Sequence, residues 1–252
     1  MKRAVVFPDQ HYPIHDVKAV NVALQVLEKA NPDIFINLGD VGEFESVSSH
    51  KYKRRKRPPL EFQLPLIDQD IVDVNKELDR VDAILDKVGC KERYICQGNH
   101  DEWLDRFVLE EAPYLEEYMF RKACRWDERG FKYYHFNKVL SIGKLSFIHG
   151  SYTGPTHAKM HLERYGTSLM YGHVHDLQRH TNSRMRDGTI SAWSLGCLKD
   201  MRAEKNTWLR GRLHNWNHAV AVVDFWKNGN FAVQIVEIVK GKAVFNGEEL
   251  IG

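Results

Sequence analysis

Apolar positions along the chain fall into two regimes. Residues 3–7 (Arg-Ala-Val-Val-Phe) form a short β-rich run that Pro8 stops, and residues 33–37 (Asp-Ile-Phe-Ile-Asn) form a second. Between them Val20, Ala23, Leu24 and Leu27 recur at helical spacing behind Asp16, a capping residue, and Pro32 ends the helix. This β-α-β unit predicts parallel strands joined by a right-handed crossover. Ile71, Val74, Leu78, Val81, Leu85 and Val88 make one apolar stripe, which predicts a helix at about 67–88 closed by Gly89. A third strand is predicted at 93–97, and residues 101–128 read as helical.

The second half is strand-rich. Runs at 139–142, 145–148 and 168–171 read as strands, and those at 219–226 and 231–239 flank Asn228-Gly229, a hairpin signal. The pattern predicts an α/β fold in which two mixed β-sheets pack face to face as a sandwich flanked by helices. One domain is expected over residues 1–252, with a polar, basic, exposed excursion at about 43–60.

Composition narrows the class without deciding it. Lys and Arg total 36 against 34 Asp and Glu, so no global field forces a nucleic-acid reading. No apolar stretch approaches the ~20 residues of a membrane helix, and the run before Pro8 is too short for a signal sequence. Cys90, Cys96, Cys124 and Cys197 form no Cys-x-x-Cys pair, and reduced thiols in a cytoplasm are the expectation.

The chemistry lies in five motifs that follow the predicted strands. They are Asp9-Gln10-His11, Gly39-Asp40, Gly98-Asn99-His100-Asp101, His149-Gly150 and Gly172-His173-Val174-His175. Ligands of open α/β sheets gather at the C-terminal edge of the strands, where distant loops converge. Carboxylate with imidazole suits Mn, Fe, Zn or Ni rather than an all-oxygen cation site. Asp40 is the natural bridge between two cations, and Asn99 offers a neutral oxygen that limits the negative charge.

The ordered set resembles the calcineurin-like metallophosphoesterases over Asp9 to His175, about two-thirds of the chain. Its departures favour a short phage or bacterial-type member. No Asp-Arg-Gly follows Gly39-Asp40, as in the protein phosphatases, and no tyrosine ligand motif is evident. The resemblance implies a four-layer αββα fold and two divalent metals, with Mn²⁺ expected and Fe, Zn or Ni as alternatives. One metal would sit on Asp9, His11, Asp40 and His175, the other on Asp40, Asn99, His149 and His173. It further implies that His100 lies beside the substrate phosphate with Asp101 orienting its ring, and that water activated by the metals attacks phosphorus.

The expected partner is a phosphoester, most specifically DNA, RNA or nucleotides, with no membrane; the oligomeric state is left open. The nucleic-acid part rests on basic residues. Lys53, Arg54, Arg55, Lys56 and Arg57 fall in the run 51–57, and Arg179 and Arg184 follow the last motif. Solvent exposure is the competing reading for each, and for Lys199, Arg202 and Arg210. A small-molecule phosphomonoesterase, a cyclic or dinucleotide phosphodiesterase, and a non-catalytic binding module on the same fold remain the alternatives. His157 and His161 are expected on a helix face near the site mouth, and Trp193, Trp208 and Trp216 in the core or at its rim.

Overall fold

The structure is a computed structural model and describes residues 1–53, 55–185 and 188–252. The first half supplies β1 (Lys2–Phe7), α1 (Val17–Ala30), β2 (Ile34–Asn37), α2 (Ser49–Tyr52) and α3 (Leu60–Lys87). It continues with β3 (Glu92–Cys96), α4 (Asn99–Glu111), α5 (Phe120–Ala123) and β4 (Phe131–Tyr134). Then come β5 (Leu140–Ile142), β6 (Leu145–Ile148), α6 (His157–Tyr165), β7 (Ser168–Tyr171), β8 (Leu177–Arg184) and β9 (Gly188–Leu195). β10 (His218–Phe225), β11 (Phe231–Ile238), β12 (Lys242–Phe245) and β13 (Glu248–Ile251) complete the set.

Two mixed sheets result. The first has the order β11-β10-β1-β2-β3-β4, with β1 to β4 parallel and β10 and β11 antiparallel at one side. The second has the order β5-β6-β7-β9-β8, with β6, β7 and β9 parallel and both edge strands antiparallel. β12 and β13 form a separate hairpin.

Alternation along β1 shows why its apolar run is continuous. Val5 and Phe7 face α1, α3 and α4 in one core, whereas Ala4 and Val6 face Phe147, Met170 and Leu195 of the second sheet in another. A strand covered on both faces has no polar side to display. On the far face of the second sheet Leu169 and Tyr171 pack against Ala158 and Leu162 of α6. The layers therefore run helices, sheet, sheet, helix. Asp16 caps α1 by accepting the amide of Ala19 at 2.9 Å.

Three local expectations need correction. The helix predicted from residue 67 starts at Leu60, one turn and more earlier, and holds Pro65 within it. Gln63 fixes that early turn by donating to the carbonyl of Ser46 at 2.8 Å, a tertiary bond that no apolar stripe announces. The excursion at 43–60 is not exposed throughout, because Phe44 and Val47 in its early part are fully buried. Residues 101–128 do not form one helix: α4 ends at Glu111 before Pro113, and only α5 follows as α-helix.

Candidate metal centre

Each motif follows a parallel strand. Asp9 follows β1, Asp40 follows β2, Asn99 follows β3, His149 follows β6, and His173 and His175 follow β7. Both sheets point these ends to one edge, so the donors meet across the seam between them. Ligand atoms of Asp9, His11, Asp40 and His175 all lie within 4.8 Å of one another, as do those of Asp40, His149 and His173. Asp40 belongs to both groups. Asn99 joins the second, its Oδ1 being 3.0 Å from His149 Nε2.

The local backbone is strained to achieve this. His11, Asp40, His173 and His175 all have positive φ, at 54°, 47°, 71° and 68°. A left-handed backbone costs a non-glycine residue about 1 kcal/mol or more, and such residues concentrate at functional sites. Two glycines permit the close approach. A Cβ on Gly98 would collide with the backbone and carboxylate of Asp40, and one on Gly172 with the carboxylate of Asp9. Asp40 Oδ1 accepts the amide of His100 at 2.8 Å, and both oxygens of Asp9 accept the amide of His173.

The hydrogen bonds leave a demand for positive charge. His149 Nδ1 meets the carbonyl of Leu38 at 2.9 Å; a carbonyl only accepts, so Nδ1 carries a proton. Nε2 then faces Asn99 Oδ1 at 3.0 Å and Asp40 Oδ2 at 3.4 Å, both acceptors. A lone pair aimed at two oxygens needs a cation or a second proton between them. Burial opposes charge on His149, but Asp40 outweighs it and pushes the imidazole up to about 10. His11 Nε2 and His175 Nε2 likewise face each other at 3.0 Å, with Asp9 Oδ2 3.1 Å from the latter. Burial lowers His11 to about 3, helped by Lys199, and lowers His173 to about 4, helped by His149. Neutral imidazoles are the form that ligates. Burial works to raise Asp40, yet the surrounding imidazoles, His149 foremost, hold it well below the usual carboxylate range. The donor set, with Asp40 in both groups, thus fits divalent metal binding.

Two neighbours escaped the sequence reading. Glu43 is half-buried three residues beyond Asp40, with its carboxylate 2.8 Å from His11 Nδ1. Its backbone carbonyl takes the Nδ1 proton of His100 at 2.8 Å. Lys199, expected in solvent, is 2 % exposed and donates to Glu43 at 2.6 Å. An acidic residue between Gly42 and Phe44 was the only signal for this contact.

Asp101 does not orient the His100 ring. Its carboxylate turns back to accept the amides of Val41, Gly42 and Gly98, tying the start of α4 to the loop after β2. Burial, with Asp40 close by, pushes Asp101 up to about 8. Among the described basic residues, Arg57, Arg179 and Arg184 contact groups other than the metal-donor residues. Arg179 lies over the Trp193 ring at 5.1 Å, and Arg184 donates to the carbonyl of Gly166 at 2.8 Å. Arg57 is 3.7 Å from Glu111 and 4.9 Å from the Tyr52 ring. Lys53, Arg55 and Lys56 are exposed, and Arg54 lies outside the described residues. His157 and His161 are buried rather than set at a mouth. His157 meets Tyr171 and Asp176, and His161 accepts the amide of Ser151 at 3.1 Å.

No family model and no curated protein matches the chain. Among solved structures it is similar to Vps29 of Chaetomium thermophilum, at 11 % identity over 94 % of this chain and 97 % of that one, with a TM-score of 0.44. It is also similar to Yfce, a phosphoesterase from E. coli, at 14 % identity over 92 % and 98 %, with a TM-score of 0.42. At such scores neither likeness bears on what the side chains do. Among the described residues no helix is long and apolar enough to cross a membrane.

Proposed function

We propose that this protein is a calcineurin-like metallophosphoesterase that hydrolyses phosphodiester bonds in nucleic acid or nucleotides. The observation that carries the reading is Asp40, whose buried carboxylate belongs to both donor groups at the seam of the two sheets. Asp9, His11, Asp40 and His175 would hold one divalent metal, and Asp40, Asn99, His149 and His173 a second. Bound there, two such cations supply an activated water and neutralise phosphate oxygens.

The chain's own residues do the remainder. Because Nδ1 of His100 is committed to the Glu43 carbonyl, Nε2 is the atom left to hold a proton or give it to a leaving oxygen. Glu43 limits rotation of both His11 and His100, and Lys199 balances its charge. Asp101 serves as a brace between α4 and the Asp40 loop.

The test is a substrate panel with Mn²⁺, Ni²⁺, Mg²⁺ and Zn²⁺: p-nitrophenyl mono- and diesters, cyclic nucleotides, and end-labelled DNA and RNA. Mn²⁺-dependent diester cleavage that EDTA abolishes is expected, and absence of hydrolysis with every metal would overturn the reading. His100→Ala should bind metal as the parent does and lose kcat by about 10²–10⁴-fold. Metal loss in that variant would make His100 a ligand instead.

A further inference from the structure

Beside the metal centre, aromatic rings continue outward in an unbroken row. The imidazole of His175 touches the Trp216 indole edge-on, with ring centroids 4.7 Å apart, and Trp216 in turn meets Trp208 at 5.9 Å and His214 at 4.5 Å. Trp216 is held there by backbone. It forms a β-bridge with Asp176, and the next residue, Asn217, donates its amide to the carbonyl of His175 at 2.9 Å. The indole is therefore positioned by the same turn that positions His175.

Trp208 is placed differently. It is 56 % exposed, so it does not anchor its loop. Anchoring falls to Asn206, which is buried and donates to the carbonyls of Asp200 and Arg202 at 2.7 and 2.9 Å. The loop thus holds a large flat ring in solvent next to the site at the expense of exposing apolar surface. Lys205, Arg210 and Arg212 are exposed on the same loop and form no salt bridge among the described residues. A flat apolar face with cations on the same loop, one ring away from the candidate metal centre, matches a nucleobase joined to a phosphodiester.

Resting on the phosphodiesterase reading above, we infer that Trp208 and Trp216 form a stacking platform for the nucleobase next to the scissile phosphate of a single-stranded substrate. Lys205, Arg210 and Arg212 hold the adjoining backbone. The shared chemistry is base plus diester, whether carried by a dinucleotide or by a longer strand. Specificity follows from the arrangement: a base can lie flat on the indoles only when it is unpaired, so duplex is the poorer ligand.

Fluorescence anisotropy in EDTA tests binding without turnover. A labelled thymidine octamer and an abasic octamer of equal length and charge are compared on the full chain. The thymidine strand should bind about tenfold tighter. Trp208→Ala should erase that difference and Trp208→Phe should keep most of it. An equal loss for the thymidine dinucleotide and octamer assigns the platform to a short ligand; a loss that grows with length assigns it to a strand. Equal binding of thymidine and abasic strands by the parent, or an undiminished difference in Trp208→Ala, would overturn the inference. Hydrolysis of bis-p-nitrophenyl phosphate by the parent with Mn²⁺, run in parallel, reports separately on the phosphoesterase reading.

Discussion

The two sheets bring different chemistry to their common edge. The first contributes both carboxylates, the Asn99 oxygen and His11; the second contributes only imidazoles, His149, His173 and His175. On the carboxylate side the charges are braced by backbone amides, as Asp9 and Asp40 show. On the imidazole side ring orientation is set by proton commitments, as His149 shows on the Leu38 carbonyl. Each of the two donor groups that share Asp40 draws on both sheets. The difference teaches that a cation at the seam satisfies both layers together, so loading the site should also clamp one sheet to the other.

The largest effect should come from the residue that belongs to both donor groups. Asp40→Asn should lower Mn²⁺-dependent diester turnover by more than the roughly 10–100-fold that loss of a supporting partner costs. Steady-state kinetics with metal analysis on the same sample checks it, and full activity would refute the bridging role. His149→Ala sharpens the contrast, since it subtracts from one group only. After dialysis it should retain about half the metal of the parent; retention of all would show that His149 is not a required ligand, and retention of none that the two groups are not separable.

The imidazole side also carries a pH signature away from the centre. His161 donates from Nδ1 to the carbonyl of His157 at 2.8 Å and accepts the Ser151 amide on Nε2, so the native state needs it neutral. Burial lowers it to about 4. The unfolded chain therefore takes up this proton first as pH falls. The contribution of His161 to stability is complete above about 6.5 and is lost progressively down to about 4. Melting curves should show that decline in the parent and a shallower one in His161→Gln. The smallest effect is expected at the flank of the carboxylate side. Replacing Lys53, Arg55 and Lys56 together with Ala should weaken DNA cleavage only about a few-fold, at low salt, and leave bis-p-nitrophenyl phosphate unaffected. Equal loss on both substrates would mean the segment supports the fold instead.

What was legible in the sequence was local. An apolar run ending in Gly-Asp or in Gly-Asn-His-Asp marks a buried strand and the turn beyond it, because hydrophobic period and glycine are properties of a few adjacent residues. The placement of Asp9, His11, Asp40, Asn99, His149, His173 and His175 around one centre follows once those strands lie parallel. What was not legible depends on distant contacts. The left-handed backbone of His11 or Asp40 has no signature in residue type, since neither is glycine. Glu43 gains its position only when the loop after β2 meets Lys199, 156 residues later. Arg179 and Arg184 read as free cations because nothing in β8 itself reveals Trp193 or the Gly166 carbonyl. Trp216 looked like core or rim until its β-bridge to Asp176 set it against His175.

The position of β10 has a consequence for how the molecule is made. Lys2 pairs with Phe225 and Val6 with Ala221, so β1 lies in the sheet beside a strand made more than two hundred residues after it. Closing so long a span is slow, and until it happens one flank of β1 stays open to foreign strands. A nascent chain stalled before His218 would carry every motif from Asp9 to His175 and still lack the neighbour that seals β1.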